Sequence, residues 1–252
     1  GCNLHRVISI KYLDKIPTLS GFTIQNGSAI NGAGIYIYHA SANIFYNKIT
    51  HNHKAGTAYG WGGGIGIRSG SPNIGYNTIT ENENDYGAGI SIEGNSSPQI
   101  EHNNIQNNSA QYWGGGINLH DVMGTPNILY NTISYNETGK FGGGICCICS
   151  SPVINSNANI SNNKAEMYGG GICIFECSPE IKDNQIVDNL AILQGGGIYI
   201  YIEDESIKPE IVDNVKIYDN ESGNLIKTQD DIYIASGSPT INNNGGPPVI
   251  LP

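Results

Sequence analysis

The feature that most constrains this chain is a repeated line of text. It reads Gly-Gly-Gly-Ile-x-Ile, a short gap, then Ser-Pro-x-Ile-x-x-Asn-x-Ile-x-x-Asn. The clearest copy runs from Gly62-Gly63-Gly64-Ile65-Gly66-Ile67 through Ser71-Pro72-Asn73-Ile74 to Asn77, Ile79 and Asn82. The triplet returns at Gly114, Gly142, Gly169 and Gly195, and Gly-Ala-Gly stands in for it at Gly32 and Gly87. From Ala42 the proline position recurs after 30, 26, 28, 26, 27, 30 and 30 residues, at Pro72, Pro98, Pro126, Pro152, Pro179, Pro209 and Pro239. Self-similarity at such a period means one structural unit stacked on itself.

Each unit carries three short alternations of apolar and polar residues, rich in Ile and broken by Gly, Asn and Pro. Period-2 patterning in runs this short predicts strands, and no window shows helical spacing. A unit of three short strands cannot bury its own apolar face. Stacking buries it, so the pattern predicts an all-β solenoid of about 8–9 coils at the usual strand spacing of about 4.8 Å. Asn47, Asn77, Asn103, Asn131, Asn157, Asn184 and Asn214 each lie five residues beyond a proline position. They predict left-handed corners whose side chains stack into a ladder. The glycine triplets read as backbone devices at a bend, because no helix and no suitably placed Lys follows them.

The repeat, together with Gly21-Phe22-Thr23-Ile24-Gln25-Asn26-Gly27, resembles the right-handed parallel β-helix repeat proteins, whose architecture pectate lyases share. The Gly-Gly-Gly-Ile and Ile-x-x-Asn elements are also similar to polymorphic outer-membrane protein repeats, which carry Phe-x-x-Asn. The resemblance implies a right-handed single-stranded parallel β-helix. It covers one domain, 1–252, with an entry coil at 1–20, repeats at 21–244 and a C-terminal tail at 245–252. One such fold hosts many functions.

Charge narrows the field. The net charge is -10 with only 12 Lys and Arg, which speaks against a nucleic-acid partner and an anionic membrane surface. No apolar run approaches the length of a transmembrane helix. The Gly- and Asn-rich, weakly charged composition suits an extracellular or cell-surface protein. Cys146 and Cys173 share a register in adjacent coils, facing outward, and Cys149 and Cys177 lie one residue out of register at the following bend. Adjacent strands hold such positions within disulfide reach, so a bond Cys146–Cys173 or Cys149–Cys177 is expected. Cys147 aligns with core isoleucines and is expected to be a buried thiol, and Cys2 is unplaced.

Two outward columns stand out. Trp61, Tyr86, Trp113, Phe141 and Tyr168 precede five successive triplets. They read either as a platform for sugar rings or as a packing ladder over a bend. A shorter aromatic run, Tyr46, Tyr76 and Tyr130 with His102 among them, reads as structural. Asp183 and Asp213 share one repeat position, and Asp188 and Asp219 share another. Facing like charges destabilise a sheet, so either calcium or nearby lysines would offset them.

An enzyme reading follows only from the resemblance: a polysaccharide lyase or glycoside hydrolase acting on an acidic polysaccharide. No catalytic residue emerges, because Arg68 has no carboxylate partner on its face by repeat alignment and the repeat stays regular. The expected role is therefore a structural or adhesive cell-surface element, binding carbohydrate along its length. It would assemble end to end into filaments through its terminal coils and its tail.

Overall fold

The structure is a computed structural model that describes residues 5–157, 159–212, 216–218, 220–223, 228–229 and 232–242. The tail 245–252, with the end-to-end contact expected of it, lies outside these residues, as do Cys2, Asp213, Asn214 and Asp219.

Among the described residues the chain is all strand, wound into a parallel solenoid of about 8 turns. The first sheet has nine strands, beginning Ile8–Lys11, Ile35–Tyr38, Ile65–Arg68, Ile90–Gly94 and Ile117–Val122. It continues through Ile145–Ile148, Ile172–Phe175 and Ile198–Tyr201 to Ile232–Ile234. The second sheet stacks nine strands from Thr18–Ser20 to Thr240–Asn242, and the third stacks eight from Thr23–Gln25 to Lys216–Tyr218. These are the three expected strands of each coil.

A fourth, short sheet was not expected. It begins at Glu83–Tyr86 and passes through Ser109–Trp113, Glu137–Thr138 and Lys164–Ala165. Most of its members span only two residues, too few for a visible alternation. Its last pair, Glu221–Ser222 with Thr228–Gln229, is the antiparallel exception among the strand pairings.

The inward columns are nearly pure isoleucine. Ile65, Ile90, Ile117, Ile145, Ile172 and Ile198 stack in register, as do Ile74, Ile100, Ile128, Ile154 and Ile181, and all are essentially buried. Each fully buried Ile contributes about 1.5–3 kcal/mol of transfer free energy. Cys147 replaces one isoleucine and lies fully buried, as its alignment indicates.

The corners work differently from the expectation. The left-handed residue is the one before the ladder asparagine: Tyr46, Tyr76, His102, Tyr130, Ser156 and Asp183 have φ between 52° and 58°. The asparagine itself turns inward. Asn77 accepts from the Asn47 backbone N–H at 2.9 Å and donates to the Ile44 carbonyl at 2.8 Å and to Asn103 Oδ1 at 3.0 Å. A second ladder, Asn52–Asn82–Asn108–Asn136–Asn163–Asn189, repeats the arrangement at the next corner. It follows left-handed His51, Glu81, Asn107, Tyr135, Asn162 and Asp188. Buried main-chain groups at both bends are thereby satisfied by side chains, as burial requires.

The glycine triplets are needed sterically. Gly114 has φ +61°, and a Cβ on Gly116 would meet the Gly144 carbonyl oxygen of the next coil at 2.6 Å. The loop leading from His53 to Trp61 is held at its base by Asp85, which accepts from Lys54 Nζ at 2.6 Å and from the Gly60 N–H at 2.9 Å.

Candidate functional site

The first sheet turns one face to the core and one outward. Three columns run along its outer face. The first is the residue before each triplet. The second comprises Tyr36, Gly66, Ser91, Asn118, Cys146, Cys173, Tyr199 and Tyr233. The third comprises Tyr38, Arg68, Glu93, His120, Ile148, Phe175 and Tyr201.

The aromatic column forms, but it divides into two stretches. In the first stretch the Trp61 and Tyr86 rings stack with centroids 4.2 Å apart, and Tyr86 lies 4.6 Å from Trp113. In the second, Phe141 and Tyr168 stack at 5.6 Å, then turn onto Phe175 and Tyr199 at 5.0 and 4.5 Å. That second stretch is a packing layer. With its neighbours it covers Cys146, Cys173 and Tyr199, which form a small apolar cluster outside the main core.

The cysteine expectations are corrected here. The register Cys146–Cys173 holds, but both side chains are fully buried beneath rings rather than facing solvent. Cys146, Cys173, Cys149 and Cys177 are all free thiols. Cys177 does not face Cys149. It stands in register with Ser150, accepting from the Ser150 N–H at 3.2 Å and donating to the Phe175 carbonyl at 2.8 Å. Ser150 has the same role in the preceding coil, donating to the Ile148 carbonyl, so Cys177 is a sulfur analogue in a serine ladder. Cys149 sits at a left-handed, exposed bend. Burial pushes the Cys146 and Cys147 thiols well above their ordinary range, and that of Cys177 to about 12.

The acidic expectation resolves into corner residues. Asp183 and Asp188 are exposed left-handed bends, one at each asparagine ladder, while their partners Asp213 and Asp219 lie outside the described residues. Among the described residues no group of three or more His, Cys, Asp or Glu side chains converges. The shorter aromatic run is a stacked corner ladder. Its centroids are 5.1 Å apart for Tyr46–Tyr76, 4.8 Å for Tyr76–His102 and 5.1 Å for His102–Tyr130. Rings stacked face on face present their edges to solvent.

The candidate site residues that the alignment missed lie in the third column beside Trp61, Tyr86 and Trp113. Arg68 and Glu93 are in register, with Nε 3.9 Å from Oε2, so Arg68 does have a carboxylate on its own face. Glu93 is in register with His120, whose Nδ1 lies 3.7 Å from Asp121 Oδ2. Strand Ile117–Val122 slips by one residue against Gly94 here, and Asp121, left-handed like Ser69, Gly94 and Cys149 at the same corner, stands exposed beside His120. An open groove of ≈ 470 Å³ results, lined by Trp61, Arg68, Glu93, Gly94, His120, Asp121 and Met123.

Burial raises the Glu93 carboxyl above its ordinary range; Arg68 opposes the shift and Asp121 adds to it. The signal for this site was available in the third column, where Arg, Glu and His replace Tyr, Ile and Phe. Catalytic and binding sites interrupt repeats, and this interruption is confined to three successive coils.

Residues 8–165 match the family described as right handed beta helix region. No curated protein and no solved structure matches the chain. No helix among the described residues is long and apolar enough to cross a membrane. With its stacked parallel coils and a family match over more than half its length, the chain belongs to the right-handed β-helix family.

Proposed function

We propose that this protein is a carbohydrate-binding β-helix that holds a polysaccharide strand in the groove on the outer face of the first sheet. The observation that carries this reading is the pairing of an aromatic wall with a polar one. Trp61 supplies the aromatic side of the groove, and Arg68, Glu93, His120 and Asp121 supply the polar side. Sugars present apolar ring faces and a rim of hydroxyls, and they need both kinds of wall. The long axis of the solenoid suits a linear polymer. The role is that of a surface-presenting rod, and extracellular placement with end-to-end assembly belongs to the same proposal.

The test is affinity gel electrophoresis against soluble polysaccharides: hydroxyethylcellulose, laminarin, galactomannan and polygalacturonate. At least one should retard the wild type, and Trp61→Ala or Arg68→Ala should abolish the retardation without unfolding the protein. Retardation by none of the four, or equal retardation of the variants, overturns the reading.

One observation favours a second reading, glycoside hydrolysis. Glu93 is a shielded carboxyl with a raised proton affinity, as a general acid requires, and a second carboxylate, the exposed Asp121, lines the same groove. Release of reducing ends by the wild type, lost in Glu93→Gln, would establish it.

A further inference from the structure

The second column changes character at one place. Beneath Phe141, Tyr168 and their neighbours it is Cys146, Cys173 and Tyr199, an apolar floor under an apolar cover. Beneath Trp61 it is Gly66, and beneath Tyr86 and Trp113, the latter also packed against the cysteine cluster, it is Ser91 and Asn118. These two are as deeply buried as the cysteines, at 1% and 0% exposure. Yet Ser91 Oγ, both Asn118 amide atoms and Glu93 Oε1 have no hydrogen-bond partner in the protein.

The glycine turns of the same coils lie against them, a Cβ on Gly87 or Gly114 falling 2.8 or 2.7 Å from that of Ser91 or Asn118, and the rings lie over the outer ends of the two side chains. His120 lies two residues beyond Asn118 on the same face. Its ring centroid is 5.3 Å from Trp61 and 5.5 Å from Trp113. The indoles therefore reach across the strand face that bears Ser91 and Asn118 and meet His120 on the far side. Trp61 and Ser91 also line one small cleft together with Arg68 and Glu93. Leaving a buried polar group unpaired costs about 1–3 kcal/mol. The chain places cysteine at the same position in the next two coils, where the cover is equally aromatic, so nothing in the fold demands polar side chains there.

We infer that Trp61, Tyr86 and Trp113 form a movable lid over a hydroxyl-binding floor made by Ser91 and Asn118. The inference rests on the carbohydrate reading and deepens it. With the rings aside, the floor offers a hydroxyl that donates and accepts, an amide N–H₂ that donates and an amide oxygen that accepts. That set complements uncharged hydroxyls, each of which is donor and acceptor at once. The ligand class is therefore a neutral polyhydroxylated sugar, with Glu93 and Arg68 at the rim. The three rings then serve twice, as cover in the empty protein and as a wall for the bound sugar.

Two measurements test this. The first uses the protein without ligand. Exchange of the Asn118 side-chain amide protons with water, followed by NMR, should be at least tenfold faster than that of Asn108, which is tied into the buried ladder. Exchange no faster than that of Asn108 means the lid stays shut, and overturns the inference. The second uses Asn118→Cys, which copies the residue of the neighbouring coils. The variant should melt higher than the wild type because the orphaned amide is gone. It should also bind at least tenfold more weakly to whichever of hydroxyethylcellulose, laminarin or galactomannan retards the wild type.

Unchanged affinity overturns the floor while leaving the groove intact. Retardation by polygalacturonate alone overturns the neutral ligand class. Retardation by none of the four removes the carbohydrate reading and the floor's ligand with it, and the exchange measurement still decides the lid.

Discussion

Replacing Asn108 by Ala tests what holds the coils together. Asn108 is 1% exposed, and its oxygen accepts from Asn82 twice, from the main-chain N–H at 3.1 Å and from Nδ2 at 3.0 Å. Its own Nδ2 donates to the Ile79 carbonyl at 3.0 Å and to Asn136 Oδ1 at 3.0 Å. Truncation leaves the buried Asn82 N–H without its acceptor and the Ile79 carbonyl without this donor. At about 1–3 kcal/mol for each stranded group, the loss should be about 2–6 kcal/mol. Equilibrium urea unfolding reads this directly. At a slope of about 3 kcal/mol/M, a loss of about 3 kcal/mol moves the midpoint down by about 1 M.

The control is Asn73→Ala, which removes another amide ladder contact, Nδ2 to Asn43 Oδ1 at 2.9 Å, but on the exposed face of the second sheet. Water replaces that bond, so the midpoint should move by less than about 0.2 M, in line with surface changes of about 0.5 kcal/mol or less. Equal shifts for the two variants would refute the reasoning, because burial is the only difference it invokes.

Four further outcomes follow from the geometry. Glu93→Gln should stabilise the protein at neutral pH: the folded carboxyl prefers its proton, so the ionised form costs stability as pH rises from about the ordinary value of 4.5 through the raised one. The gap between variant and wild type, measured by thermal melts across pH, should vanish at low pH. With Cys2 replaced by Ser, labelling of the native protein with an aromatic disulfide should show a fast thiol that is lost in Cys149→Ser and retained in Cys146→Ser, since of these two side chains only that of Cys149 is exposed. Gly116→Ala should lower stability by about 1–3 kcal/mol or more, because its Cβ would meet a backbone oxygen that cannot retreat. Trp61→Ala should lose polysaccharide retardation while melting only modestly below the wild type, because its ring packs on Tyr86 and His120 outside the isoleucine core.

The fold was legible in the sequence because its determinants are periodic. Ile65, Ile90 and Ile117 announce a stacked inward column by spacing alone, and the recurrent asparagines announce bends. What spacing does not carry is conformation at the bend itself. Tyr76 and Asn77 are adjacent, and either could take the left-handed angle; the buried amide bonds of Asn77 decide it. The cysteines show the same limit. Register placed Cys146 beside Cys173 correctly, but the rings of Phe141 and Tyr168 that cover them come from another column. The groove was overlooked for a related reason. A repeat alignment rewards sameness, and Arg68, Glu93 and His120 stand out only by differing from Ile148 and Phe175 in the same column.

The asparagine ladders carry one more consequence. Successive ladder residues are separated by 30, 26, 28, 26 and 27 positions from Asn47 to Asn184, yet each backbone N–H meets the next amide oxygen at 2.9–3.1 Å. Pitch is thus independent of contour length. Residues added between corners emerge sideways, as the segment from His53 to Trp61 does, and leave the neighbouring coils where they were. A gene for such a rod can gain or lose whole coils, or lengthen one loop over the groove, without retuning the rest of the stack.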